Sequence, residues 1–157
     1  MKTLAFIPAR SGSKGVIDKN IRNLNGIPLL AYSVHIAQLC FKQGIFSDVL
    51  VSTDSIQYLQ KIKQTGYTKE YIRPKELAKD ESPTIDAIIH AINDYAKKNI
   101  FFDNVMILQP TSPFRCIKDI KKSIQILESN PLTTCVASVF KLGDHHPRRI
   151  KLINKDG

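Results

Sequence analysis

The sequence lacks tryptophan altogether and contains only three cysteines among its 157 residues. Cys40, Cys116 and Cys135 are odd in number and far apart, and no C-x-x-C pair occurs. This pattern argues against a disulfide framework and against a cysteine zinc site. It is typical of buried or neutral thiols in a reducing compartment, so we expect a cytoplasmic protein.

Long hydrophobic runs are missing too. No window approaches the roughly 18 apolar residues that a membrane span needs, and the chain enters a predicted strand at once. We therefore expect neither membrane association nor a secretory signal. The 157 residues, without repeats or a convincing linker, suit a single domain over residues 1–157. Such a domain can bury roughly 70% of the surface that its unfolded chain exposes.

The charge is unbalanced, with 23 basic and 14 acidic residues and a formal net charge of +9. An excess of this size can indicate nucleic-acid binding. The lysines, however, are scattered over predicted helix faces, and no basic stripe is interleaved with aromatic residues. We interpret most of them as solvated surface and a minority as part of a small-anion site, so no nucleic-acid partner is expected. A nucleic-acid-binding domain stays open as a rival.

Apolar residues alternate between strand spacing and helix spacing along the chain. Strands are predicted at 3–8, 49–51, 104–108 and 133–140, with a weaker one at 70–72 and half of a hairpin at 150–153. Helices are predicted from Pro28 to a stop at Gly44, over 56–65 after the cap Ser55, over 83–99 after the cap Ser82, and over 117–128. This rhythm predicts an α/β fold in which helices cover both faces of a mostly parallel sheet.

Three polar stretches each follow a predicted strand, at residues 10–20, 52–55 and 109–115. The carboxyl ends of parallel strands meet at one edge of the sheet, and ligands bind in the crevice there. We therefore expect the three stretches to converge on one site. The charged, irregular stretch 74–83 is expected to cover that site.

The loop after the first strand carries three cations, Arg10, Lys14 and Lys19, among glycines and serines. Gly12 and Gly15 allow the backbone to approach a ligand closely, and the planar guanidinium of an arginine suits phosphate oxygens. Neither G-x-x-x-x-G-K-[ST] nor G-x-G-x-x-G occurs. The loop therefore indicates an anion site, with a nucleotide triphosphate as first candidate. A surface loop with solvated lysines is the alternative.

Five sequence blocks carry a resemblance to a known family. Residues 8–15, Pro-Ala-Arg-Ser-Gly-Ser-Lys-Gly, together with Lys19 and Asn20, resemble the opening motif of the CMP-sialic acid synthetases, or acylneuraminate cytidylyltransferases. The later blocks follow in the family's order: Val-Ser-Thr-Asp-Ser at 51–55, Arg-Pro-Lys-Glu-Leu-Ala at 73–78, Gln-Pro-Thr-Ser-Pro-Phe-Arg at 109–115 and His-His-Pro at 145–147. One block alone is weak evidence for the family, whereas five blocks in the family's order are a specific match.

The resemblance implies a three-layer, Rossmann-like nucleotidyltransferase fold. It implies an enzyme that joins a sialic acid-like, nine-carbon keto-acid sugar to CTP and releases pyrophosphate, for cell-surface glycans such as lipopolysaccharide or capsule. It also implies Mg²⁺ as cofactor and a homodimer. Pseudaminic or legionaminic acid as the sugar, and a non-catalytic nucleotide-binding fragment, are the alternatives.

Matching motif positions imply a role for each residue. Arg10, Lys14 and Lys19 are expected to be catalytic and to hold the triphosphate and the departing pyrophosphate. Nucleotide contacts are expected from Arg10, Ser13, Lys14, Asn20, Arg73, Ser82 and Thr84, with Arg73 reading cytosine, and a sugar contact from Gln109. Structural alternatives stay open: Arg73 can hold a helix C-terminus, Thr84 can cap a helix, and Gln109 can satisfy a turn.

The sequence also departs from the family pattern. Asp18 stands where many members have a small or apolar residue, and Ser82-Pro83 replaces a more usual pair of small residues. The chain is shorter than the family, and we expect it to be C-terminally incomplete, because the family's magnesium-binding Asp-x-Asp is absent. No metal ligand is therefore assigned in this chain. Asp54 and Asp86 are interpreted as cap or loop groups, and the adjacent His145 and His146 do not favour a metal site.

Overall fold

The computed structural model describes residues 1–139. The strands in this part of the chain are β1 (Thr3–Pro8), β2 (Asn23–Leu24), β3 (Ile27–Pro28), β4 (Asp48–Ser52) and β5 (Asn104–Ile107). The α-helices are α1 (Leu29–Lys42), α2 (Ile56–Ile62), α3 (Thr84–Ala96) and α4 (Ile117–Ser129). Single 3₁₀ turns occupy Lys19–Ile21, Lys63–Thr65 and Lys75–Ala78.

The central sheet has the strand order β4-β1-β5, and both pairings are parallel. In the register, Pro8 lies opposite Ser52, and Phe6 lies opposite Ile107. The chain leaves β1 toward β4 and later crosses to the other side of β1 to form β5. The connections therefore diverge from β1, which is the arrangement that opens a crevice at the carboxyl edge of an α/β sheet.

Strand β1 forms the centre of the core, because it is paired on both edges and covered on both faces. Leu4 and Phe6 are fully buried and pack in one cluster with Leu50 and with Ala87 and Ile88 of α3. Burying each large apolar side chain stabilises the fold by about 1.5–3 kcal/mol. Since side chains alternate along a strand, the intervening residues of β1 face the other layer, where α1 contacts β1 and β4. The predicted three-layer α/β fold is confirmed.

The described contacts cluster into two compact units, Met1–Lys122 and Ser123–Gly157. The first unit contains the sheet and every site residue discussed below. In the described part of the second unit, the Ser129 hydroxyl donates to the Ile126 carbonyl at 3.0 Å, and the Leu132 N–H donates to Asn130 Oδ1 at 3.0 Å. A single domain over 1–157 stays a prediction.

Most predicted elements are confirmed to within a few residues, which is the usual uncertainty of element ends. The end of α1 is a clear case. Gly44 adopts φ +70°, and the next N–H, that of Ile45, donates to the Cys40 carbonyl at 2.9 Å. This is the hydrogen bond of a Schellman motif, so the predicted stop at Gly44 is confirmed with its mechanism.

Three predictions of local structure were wrong. Residues 133–139 form no strand, because no described segment pairs with their backbone groups, and Phe140 lies outside the described residues. The weak strand at 70–72 reduces to one parallel bridge between Thr53 and Ile72. Ser82 does not cap α3, because its hydroxyl donates to the Glu76 carbonyl at 2.8 Å, and Pro83 takes the cap position.

The hairpin of β2 and β3 was not predicted, although its turn sequence is typical. Asn25 and Gly26 adopt φ of 51° and 79°, the left-handed pair that a two-residue type I′ turn requires. The predicted half-hairpin at 150–153 lies outside the described residues, as do His145 and His146.

Candidate anion-binding site

The loop after β1 is fixed at its start and at its end. Ala9 extends the pairing of β1 by donating its N–H to the Ser52 carbonyl at 2.9 Å. The chain then turns at Gly12, which adopts φ +66° with open space on its Cβ side. At the far end, Nδ2 of the buried Asn20 donates to the Arg10 carbonyl at 3.0 Å. The loop therefore closes on itself directly beyond the sheet.

Asp54, just after β4, ties a second loop to the first. Its carboxylate accepts two hydrogen bonds from Ser11, one from the backbone N–H at 2.8 Å and one from the hydroxyl at 2.5 Å. Burial acts to raise the pKa of Asp54, but these hydrogen bonds and the charge of Arg73 outweigh it and hold the pKa below its ordinary value. Asp54 is thus a charged anchor for the start of the loop.

Asp18, the departure from the family pattern, anchors the other end of the loop. Its Oδ1 accepts a hydrogen bond at 3.0 Å from the hydroxyl of Tyr58, which is buried in α2. Burial, followed by the hydrogen bond to Asp18, raises the pKa of Tyr58 far above its ordinary value, so the hydroxyl keeps its proton. A small apolar residue at position 18 would lack this bond.

Two of the predicted cations meet at one anionic group. Nη2 of Arg10 donates to Oδ1 of Asp80, and Nζ of Lys14 lies 2.6 Å from Oδ2 of the same carboxylate. Lys14, and after it Arg10, hold the pKa of Asp80 below its ordinary value. These three residues line a cleft of about 420 Å³, along with Asp54 and part of the segment 75–81. The prediction that the stretch 74–83 covers the site agrees with this lining.

Arg73 is the most buried cation of the site, with 4% of its surface exposed. Its backbone N–H donates to the Thr53 carbonyl at 2.8 Å, which holds the residue beside the end of β4. Burial lowers the pKa of its guanidinium, while the carboxylate of Asp54 acts in the opposite direction. Its Nε has no hydrogen-bond partner within residues 1–139. Buried donors are nearly always paired, so this one needs an explanation.

The remaining predicted site residues do not line this cleft. Ser13 is buried, Lys19 lies in a 3₁₀ turn, and Thr84 is the exposed first residue of α3. Gln109 is exposed after β5, where Arg115 fixes the turn by donating to the Gln109 carbonyl and, at 2.9 Å, to Ser33 Oγ. The structure thus gathers Arg10 and Lys14 in one cleft, with Asn20 and Arg73 in contact with the loops that form it.

Sequence reasoning missed the contacts of two carboxylates, Asp80 and Asp54. Asp80 was not singled out, although it lies inside the charged stretch 74–83 that was expected to cover the site. Asp54 was interpreted as a cap or loop group, and its contact with Ser11 was not predicted. Both contacts join residues far apart in sequence, by 70 and 43 positions, so no local spacing could reveal them.

The structure offers no group of three His, Cys, Asp or Glu side chains that could hold a metal ion within residues 1–139. In the same range, no helix combines the length and apolar character that crossing a membrane requires. The three thiols are free, with Cys40 buried and Cys116 and Cys135 exposed. Burial raises the pKa of the Cys40 thiol, so this side chain is neutral and unreactive.

A parallel sheet between helix layers, with its basic loop at the carboxyl end of the central strand, defines a Rossmann-like α/β protein. Comparison with known families then gives the particular group. Residues 4–148 match the family model described as cytidylyltransferase, and the chain belongs to this family.

Curated relatives carry three related names. The chain is 38% identical over 126 residues to the CMP-N,N'-diacetyllegionaminic acid synthase of Legionella pneumophila, covering 80% of this chain and 53% of that protein. It is 38% identical over 140 residues to an N-acylneuraminate cytidylyltransferase of Escherichia coli, covering 89% and 32%. It is 34% identical over 113 residues to a pseudaminic acid cytidylyltransferase of Campylobacter jejuni, covering 72% and 47%. The chain therefore spans about half or less of these relatives.

A solved structure shares the fold. It is that of CMP:2-keto-3-deoxy-manno-octonic acid synthetase complexed with CTP. The TM-score is 0.65 at 20% sequence identity, and the alignment covers 84% of this chain and 49% of that one. This likeness supports the nucleotidyltransferase type of Rossmann-like fold that the resemblance implied.

Proposed function

We propose that this chain is the nucleotide-binding part of a cytidylyltransferase. The enzyme joins CTP to a sialic acid-like, nine-carbon keto-acid sugar and forms a CMP-sugar and pyrophosphate, for glycans such as lipopolysaccharide or capsule. The observation that carries the proposal is the convergence of Arg10 and Lys14 on one anionic group at the carboxyl edge of the sheet. The names of the relatives supply the substrate class.

The proposed reaction is an in-line displacement at the α-phosphorus of CTP. The anomeric hydroxyl oxygen of the sugar forms the new bond to phosphorus, and its proton passes to solvent. The bond to the bridging oxygen of the β-phosphate breaks, and pyrophosphate leaves. Catalysis of this kind depends on positioning and on stabilising negative charge. Arg10 and Lys14 supply positive charge that stabilises the β- and γ-phosphates, and Lys19 adds a further cation.

Arg73 is proposed to recognise the cytosine base. Its guanidinium is buried, and Nε lacks an acceptor among the described residues. The carbonyl oxygen and ring nitrogen of cytosine are acceptors that would pair such a donor, which is otherwise costly to bury. Ser13, Asn20, Ser82 and Thr84 are proposed as further nucleotide contacts, and Gln109 as the sugar contact.

Magnesium is proposed to arrive with CTP as a counter-ion of its phosphates. Because residues 1–139 contain no cluster that fits a metal ion, no protein ligand and no step are assigned to it. We further propose a cytoplasmic homodimer for the full-length enzyme.

The sugar is the open part of the proposal, because the relatives are named for legionaminic acid, N-acylneuraminate and pseudaminic acid. A second candidate is a nucleotide-binding fragment without turnover. The absence of a fitting metal cluster in residues 1–139 favours it for this chain alone.

Two measurements distinguish these candidates. Isothermal titration with CTP, ATP and GTP, with and without Mg²⁺, is expected to show selective binding of CTP. Equal affinity for the three nucleotides, or binding of none of them, contradicts the proposal. Pyrophosphate release is then measured with N-acetylneuraminic, legionaminic and pseudaminic acids. Release with one of them identifies the sugar, whereas CTP binding without release from any indicates the fragment.

A further inference from the structure

The two cations of the cleft are bridged by a single carboxylate, that of Asp80. Oδ1 accepts from Nη2 of Arg10, and Oδ2 lies 2.6 Å from Nζ of Lys14. One O–C–O group therefore contacts both cations through different oxygens. Two non-bridging oxygens of a phosphate present the same pair of acceptors.

We propose that Asp80 determines nucleotide affinity: its carboxylate neutralises Arg10 and Lys14 in the free protein, and the polyphosphate of the nucleotide replaces it there. The inference rests on the proposed function, because it takes the incoming anion to be a nucleotide polyphosphate. It adds Asp80 to the site, and it adds competition between the Asp80 carboxylate and the polyphosphate for Arg10 and Lys14.

The carboxylate bridge that Asp80 forms between Arg10 and Lys14 is accessible enough for another anion to replace it. The side chain of Asp80 is 27% exposed and that of Lys14 is 83% exposed, so water reaches both partners. Exposed ion pairs contribute little to stability. A polyphosphate carries several negative charges and more acceptor oxygens than one carboxylate, so it is the stronger partner for two cations.

The position of Asp80 links this exchange to the rest of the proposed site. Asp80 lies in the segment 75–81, which lines the cleft, and two residues further on is Ser82. Ser82 in turn donates to the Glu76 carbonyl at 2.8 Å, which ties both ends of the segment together. The carboxylate that would be exchanged therefore belongs to the same short segment as Ser82, one of the proposed nucleotide contacts.

The test compares three variants of the whole chain by isothermal titration. Asp80→Asn removes the charge of the bridge, Asp80→Glu keeps a carboxylate, and Glu81→Gln removes one charge from the same cleft without touching the bridge. The ligands are CTP, inorganic tripolyphosphate and cytidine. Thermal unfolding of each variant confirms that it is folded.

Asp80→Asn is expected to bind CTP and tripolyphosphate about three- to tenfold more tightly than the wild type. Its affinity for cytidine should be unchanged, because cytidine has no phosphate to compete for the cations. Glu81→Gln and Asp80→Glu should each stay within about twofold of the wild type, since the bridge keeps a carboxylate in both.

The following outcomes would overturn the inference. If Glu81→Gln tightens CTP binding as much as Asp80→Asn does, the effect is one of general charge. Weaker binding by Asp80→Asn would mean that Asp80 positions the cations in the bound state. An equal change for cytidine would mean that Asp80 acts through the base contacts. If neither CTP nor tripolyphosphate binds to any variant, the proposed function fails together with the inference, whereas normal CTP binding without tightening removes the inference alone.

Discussion

At the residue scale, the site depends on carboxylates as much as on cations. Asp54 holds the start of the loop through Ser11, and Asp18 holds its end through Tyr58. The cations Arg10 and Lys14 line the cleft beside this anchored backbone. The family resemblance indicated the cations, whereas the roles of the anchoring carboxylates became visible only in the structure.

Asp54→Asn should lower the free energy of unfolding by about 1–2 kcal/mol at pH 7, since it weakens two hydrogen bonds to a charged acceptor. Urea unfolding measures this loss. Asp86→Asn, in the exposed first turn of α3, is the control and should cost at most about 0.5 kcal/mol.

The same variant gives a prediction for the pH dependence of stability. The pKa of Asp54 in the folded protein lies below its ordinary value of 3.8. Its contribution to stability is therefore complete above that value and is lost as the pH falls through the lower pKa of the folded state. The difference in unfolding free energy between the wild type and Asp54→Asn should shrink below about pH 4. A constant difference down to pH 2.5 would contradict the role of the charge.

At the element scale, apolar periodicity was enough to predict the central sheet and its helices, whereas the predicted side-chain caps Ser55 and Ser82 make no capping hydrogen bond. The apolar runs at residues 4–7 and 105–108 both predicted strands of the sheet, and residues 4–7 are fully buried in its central strand. Gly44 predicted the end of α1, because a glycine readily adopts the left-handed conformation that ends a helix. The errors arose where a choice depended on distant groups. Ser82 has the residue type of a helix cap, but its hydroxyl donates to the Glu76 carbonyl instead. Residues 133–139 have the composition of a strand, but no described segment pairs with their backbone groups.

Gly44→Ala tests the helix end directly. Alanine at φ +70° costs about 1 kcal/mol, so the free energy of unfolding should fall by about that amount in denaturant titrations. Gly15→Ala is the matched control, because Gly15 has no positive φ and an added Cβ meets nothing within 4 Å. It should leave stability equal or slightly higher. Equal losses in both variants would show that the left-handed conformation is not what Gly44 supplies.

At the scale of the whole molecule, topology brings the site together. The loop after β1, the loop after β4 and the segment 75–81 meet at one edge, because parallel strands end there and the connections diverge from β1. The strand order was therefore sufficient to predict that the stretches 10–20 and 52–55 meet, whereas the third predicted stretch, 109–115, does not line the cleft. The geometry inside the cleft was not predictable, since the contacts of Arg10 with Asp80 and of Ser11 with Asp54 join residues 70 and 43 positions apart.

The net charge of +9 is also a property of the whole molecule. Its general effect on anion binding has to be distinguished from the effect of the particular cations in the site. A general positive field attracts any polyanion, whereas a built site depends on particular cations. Arg10 and a remote lysine are equal in charge, so they separate the two explanations. Lys63 is suitable, because it is exposed and lies in a 3₁₀ turn after α2.

Titration of CTP into Arg10→Ala and Lys63→Ala at physiological salt is the most direct test of the account. Arg10→Ala should lose about tenfold or more in affinity, because a charge-assisted pair with the phosphates is removed, and Lys63→Ala should remain within about twofold of the wild type. Equal affinities of wild type and Arg10→Ala for CTP, or equal losses in both variants, would contradict a triphosphate site in the loop after β1.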